Sequence, residues 1–60
     1  MDKRQIKSLM DKLRQPIHIN YISKYILKKD IDETKQQLDI LISEGYIKES
    51  KLSQGYYVAV

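Results

Sequence analysis

The amino-acid sequence predicts an α+β fold, mostly α, built as three helices and a C-terminal β-hairpin. An apolar stripe of helical period occupies Ile6 to Leu13, and a second helix-period run begins near Ile31 and stops at Gly45. Two short runs rich in Tyr, Ile and Val, residues 46–50 and 56–60, then flank a polar turn. With 60 residues the chain makes one domain, 1–60. A domain of this size buries only about 60% of the surface its unfolded form exposes, so each large apolar side chain matters.

In the first helix, predicted over about 3–14, Ile6, Leu9, Met10 and Leu13 stand at i, i+3, i+4 and i+7. Asp2 is placed to cap its start and Pro16 to stop it. The alternation Ile17-His18-Ile19 predicts a very short strand over 17–19, with His18 turned away from the two isoleucines. Asn20 is the expected N-cap of a second helix over about 21–28, whose buried side would carry Ile22, Tyr25 and Ile26. Asp30 followed by Glu33 matches a capping box with Asp in place of Ser or Thr, and Asp32 adds an anion at the positive end of the helix dipole. The third helix is therefore predicted over about 32–44, with Thr34, Leu38, Leu41 and Ile42 along one side and Gly45 supplying the positive φ that ends it. The hairpin strands, about 46–50 and 56–60, enclose Lys51-Leu52-Ser53-Gln54-Gly55. Tyr56 and Tyr57 point to opposite faces of their strand, one toward the core and one outward.

The absence of cysteine excludes a disulfide framework and a thiolate metal site, and self-association as a homodimer is one source of extra stability for so small a core. His18 is the single histidine; a metal needs several ligands, so His18 is expected at the surface and no metal is assigned. The opening MDKRQIKSLM is charged, and no apolar run approaches the roughly 20 residues of a membrane span, which predicts a cytoplasmic protein with no membrane partner. Asp30 and Asp32 resemble a carboxylate pair, yet no nucleophile, base or glycine-rich phosphate loop accompanies them. No enzyme is expected, and no catalytic residue or cofactor is assigned.

The formal net charge of +3 and an isoelectric point near 9.2 suit a polyanionic partner. The distribution is uneven. Residues 1–29 carry a net +6; residues 30–45, with Asp30, Asp32, Glu33, Asp39 and Glu44 against Lys35, carry −4; the last fifteen carry +1.

The spacing Leu38-x-x-Leu41-x-x-x-Gly45-Tyr46-Ile47 resembles the end of the recognition helix and the start of the wing in winged helix-turn-helix proteins. Pro16-Ile17-x-x-x-x-Ile22-x-x-x-Ile26 resembles the segment that leads into the first helix of their helix-turn-helix. The resemblance covers nearly the whole chain and lies in apolar pattern rather than in signature residues. It implies a winged helix, as in many small prokaryotic, viral and plasmid-borne transcription regulators, and also in modules that bind only proteins.

In that family the outward face of the third helix approaches the major groove. At about 100° per residue, the face opposite Leu38 and Leu41 presents Asp32, Glu33, Gln36, Ile40 and Ser43, with Lys35, Gln37 and Asp39 on its flanks. Gln36 and Gln37 have the chemistry for a bidentate contact with adenine, and Lys35 for a phosphate or guanine. Lys24 and Lys28, read as one turn apart on one face of the second helix, are placed for phosphates, and Lys48 and Lys51 extend the contact through the wing. The plainer role for the same lysines is a solvated face, with those of the hairpin protecting an edge strand from aggregation.

The acids depart from the DNA-binding pattern, because Asp32, Glu33 and Asp39 stand where family members usually carry positive charge. In the first turn Asp30, Asp32 and Glu33 each stabilise the helix start by roughly 0.3–1 kcal/mol, which is reason enough for them. The alternative is a partner-binding face of Asp32, Glu33 and Ile40 for a basic protein. Ile40 itself is turned away from the core, either as an isolated surface residue or as the centre of a contact. The expected function is that of a small winged-helix DNA-binding protein, a transcription regulator or an accessory factor of a mobile or viral element, with double-stranded DNA as partner. The alternative is a protein-interaction module within a replication or transcription assembly. A mixed case puts a protein on the third helix and single- or double-stranded DNA on the basic helices.

Overall fold

The computed structural model describes residues 2–60. Its elements run α1 (Lys3–Lys12), β1 (Ile17–His18), α2 (Ile19–Tyr21), α3 (Ile31–Ser43), β2 (Ile47–Glu49) and β3 (Tyr56–Ala59), with a π-helical segment, Ile22–Leu27, continuing directly from α2. The three strands make one antiparallel sheet in the order β1-β3-β2. The fold is thus α+β and mostly helical, as the hydrophobic periodicity predicts.

Side-chain caps start the two long helices. Asp2 accepts a hydrogen bond from the Gln5 N–H at 2.9 Å, and Asp30 accepts one from the Glu33 N–H at 2.8 Å. Only this half of the predicted capping box is formed among the described residues: Glu33 does not return a bond to the Asp30 N–H. α1 ends two residues before the predicted boundary. The Leu13 N–H bonds back to Leu9 and Met10, while the Leu13 carbonyl accepts from Ala59 at 2.8 Å and so ties the helix end to β3. α3 ends in a Schellman arrangement: Tyr46 N–H donates to the Leu41 carbonyl and Gly45 N–H to that of Ile42, with Gly45 at φ 86°.

The second helix differs most from expectation. It starts at Ile19 because His18, not Asn20, is the cap: His18 Nδ1 accepts from the Asn20 N–H at 3.1 Å. From Ile22 onward the coil widens, and its wider turn keeps Ile22 and Ile26 inward while rotating Tyr25 outward, so that Tyr25 is 58% exposed rather than buried. Lys28 takes a left-handed conformation, φ 56°, and ends the element. The Ser23 carbonyl accepts from the N–H groups of both Lys28 and Lys29, and the buried Ser23 hydroxyl donates to the Lys29 carbonyl. One serine thereby fixes the turn that leads to α3.

Leu9, Leu13, Ile22, Leu38, Leu41, Ile47 and Tyr57 form a single buried cluster to which every main element contributes, with Ile17 and Ile19 packed against it. Of the tyrosine pair, Tyr57 is the inward member and Tyr56 the outward one. The cluster contains a flaw: Thr34 is fully buried and its hydroxyl has no hydrogen-bond partner among the described residues. An unmade bond of this kind costs about 1–3 kcal/mol.

Burial pushes the Tyr57 phenol above its ordinary value of 10.0, and the negative charges of Glu49 and then Asp39 push it further. The unfolded chain therefore gives up this proton at lower pH than the folded one. The stabilisation is complete below about pH 10 and is lost as pH rises through the folded value. Tyr57→Phe is expected to flatten the alkaline fall in melting temperature; an identical fall in the variant would assign the effect to other groups.

Candidate functional site

α3 turns its buried stripe, Thr34, Leu38 and Leu41, onto the core, and the rest of its surface follows from that phase. Asp32, Glu33, Lys35, Gln36, Asp39 and Ile40 are exposed, and Gln37 is half-buried. Ile40 stands 49% exposed, as its place opposite the stripe requires. Gln36, Gln37, Glu33 and Ile40 share one shallow depression, and the residue that closes it from outside the helix is Lys29. Lys29 also lines the neighbouring groove with Asn20, Ser23, Lys24 and Asp30. The site predicted on α3 is therefore continuous with the cations of the preceding turn.

Two sequence expectations change here. Lys24 and Lys28 do not share a helical face, because Lys28 has left the helix for the left-handed region. Lys29 takes the position on the site that Lys28 was expected to hold, and the Ser23 clamp puts it there. The signal for this was slight: a serine inside an apolar helix, with two lysines and an aspartate after it. Lys35 is exposed on α3 outside the depression.

The hairpin places Lys48 on β2, opposite Val58, and Lys51 in the loop that follows; both are exposed. Ser50 organises the loop, its N–H donating to the Tyr56 carbonyl at 2.7 Å and its hydroxyl accepting from Leu52 at 3.3 Å. Leu52 is 89% exposed near the tip, an apolar residue that the sequence places in a polar turn.

Charge at the site is unquenched. Among the described residues the one ion pair is Arg14 with Asp11, at 3.7 Å on α1. Lys24, Lys29, Lys35, Lys48 and Lys51 thus have no carboxylate within ion-pair distance, and neither Asp32 nor Glu33 is matched by a cation. Asp30 is committed to capping, whereas Asp32 and Glu33 serve α3 only through its dipole and remain free to face a partner. Among the described residues no helix is long and apolar enough to cross a membrane, and no group of three or more His, Cys, Asp and Glu is gathered to hold a metal ion.

No protein-family model matches the chain, and neither a curated protein nor a solved structure matches it significantly.

Proposed function

We propose that the chain is a winged-helix DNA-binding domain, with α3 as its reading helix and the β2–β3 hairpin as its wing. The element order, with the hairpin after α3 and β1 closing the sheet against β3, supports that reading. The observation that carries it is the continuity of Gln36 and Gln37 with Lys29 and Lys24 on one surface where, among the described residues, neither lysine has a carboxylate within ion-pair distance. Phosphate contacts position a protein on the duplex and amide side chains read base edges, so cations beside glutamines supply both halves of recognition. Lys29 and Lys24 fix phosphates beside the groove, Lys35 reaches a phosphate or guanine, and Lys48 and Lys51 extend the contact. The biological role that fits is a small transcription regulator or an accessory factor of a mobile or viral element. An anisotropy titration with random duplex DNA at low salt is expected to show non-specific binding; a flat titration removes this function.

A second function is favoured by one observation. Ile40 is half exposed in the same depression as Glu33, and among the described residues Asp32 and Glu33 have no cationic partner, which suits a basic protein partner. Ile40→Glu leaves the core untouched and is expected to melt like the parent. If a protein occupies this face, the substitution breaks that complex while duplex affinity falls only by the added charge; an intact complex excludes the face as a protein contact.

A further inference from the structure

We propose that the tyrosines of the second helix and of β3 form a stacking surface for unpaired nucleobases, so that the domain also holds single-stranded nucleic acid. This goes beyond duplex binding by α3, uses different side chains apart from Lys24 and Lys48, and stands or falls separately.

Tyr21 and Tyr25 are 52% and 58% exposed, with ring centroids 4.9 Å apart and planes tilted by 42°. Tyr56 lies edge-on to His18, centroids 5.0 Å apart at 77°, and one groove is lined by His18, Tyr21 and Tyr56 together. The four rings therefore form a connected strip. Leaving three tyrosines open forfeits apolar burial in a domain with little core to spare, so core packing does not account for their arrangement.

The backbone holds the rings in place. The bond from the Asn20 N–H fixes the His18 imidazole, and Gly55 makes room for it, since a Cβ there would meet His18 Nε2 at 3.0 Å. The π-helical segment turns Tyr25 outward beside Tyr21. On the outer face of the sheet, Tyr56 and Val58 sit opposite His18 and Lys48 in the strand register.

Charge selects the occupant. Lys24 Nζ lies 5.8 Å from the centre of the Tyr25 ring, Lys48 stands at the other end, and the groove between has no acidic lining residue. Rings flanked by cations match the alternation of base and phosphate along a single strand. A second copy of the chain docked across a two-fold axis would set this positive patch against itself. A duplex hides the faces of its bases, whereas a single strand offers them.

The chain has no tryptophan, so its tyrosine fluorescence reports on the strip directly. An oligothymidylate of about eight residues is titrated into the full chain and into Tyr21→Ala, Tyr25→Ala, Tyr25→Phe and Lys24→Ala. Binding is expected to quench the emission. Each Tyr→Ala change should weaken affinity by about five- to a hundredfold with the salt slope unchanged. Tyr25→Phe keeps the ring face and should bind like the parent, whereas Lys24→Ala should lower the slope by about 0.7. Random-duplex affinity should not respond to Tyr25→Ala. Absence of quenching, or unaltered oligothymidylate affinity in both alanine variants, overturns the proposal. So does a dimer of the parent that Tyr25→Ala dissociates, because the rings would then be covered by a second copy. Loss of duplex binding alone bears on α3 and leaves this strip standing.

Discussion

Leu38→Ala is expected to leave the chain largely unfolded at about 25 °C. Leu38 is fully buried at the centre of the inward face of α3, where the helix meets the cluster shared by α1, the second helix and the sheet. Removing a buried leucine side chain costs about 2–5 kcal/mol, the higher figures belonging to sites that cannot collapse around the gap. A domain of this length has about 3–9 kcal/mol of total stability at ordinary values per residue. The unpaired Thr34 hydroxyl, one turn away in the same helix, places it toward the low end of that range. Loss of most of the helical circular dichroism, or a melting temperature lowered by tens of degrees, is the expected reading. A variant that melts within a few degrees of the parent would mean that α3 is not the keystone of the core.

The largest functional effect is expected from replacing Lys24, Lys29 and Lys35 together by alanine. All three are exposed, none has a carboxylate partner among the described residues, and none belongs to the buried cluster, so folding should be unaffected. Each lysine that neutralises a phosphate contributes about 0.9 to the slope of log affinity against log salt, so removing all three should flatten it by roughly 2.7. At 0.1 M salt that corresponds to a loss on the order of a hundred- to a thousandfold in duplex affinity. If the slope holds while the variant remains folded, phosphates are met elsewhere, and α1, on which Arg4 and Lys7 are exposed, becomes the surface to examine.

Much of the fold was legible because it rests on residues with one strong local preference. Asp2 and Asp30 cap the helices they precede, Gly45 ends α3, and the Ile6–Leu13 and Leu38–Leu41 spacings fix which sides face the core. The second helix escaped because its geometry is set by one residue's hydrogen bonds to the residues that follow the helix rather than by apolar periodicity. A 3.6-residue period assumes an α-helix throughout, and the Ser23 clamp replaces it with a wider turn. That one change moved Tyr25 outward, removed Lys28 from the helical face and brought Lys29 to the site. His18 was legible only as a surface side chain; its role as a cap depends on Gly55 from the far end of the chain leaving space for the ring. The exposed residues of α3 were read correctly because they are the complement of its buried stripe. What binds them was not legible, since acids at a helix start serve the dipole and a partner equally well.

Amide chemical-shift mapping on the labelled chain, with random duplex DNA added at low salt, tests the proposed function most directly. The largest shifts are expected at Lys29, along Lys35 to Ile40 of α3, and in the hairpin from Lys48 to Lys51. Shifts confined to α1 and Tyr46, or no shifts at any duplex concentration, would contradict it.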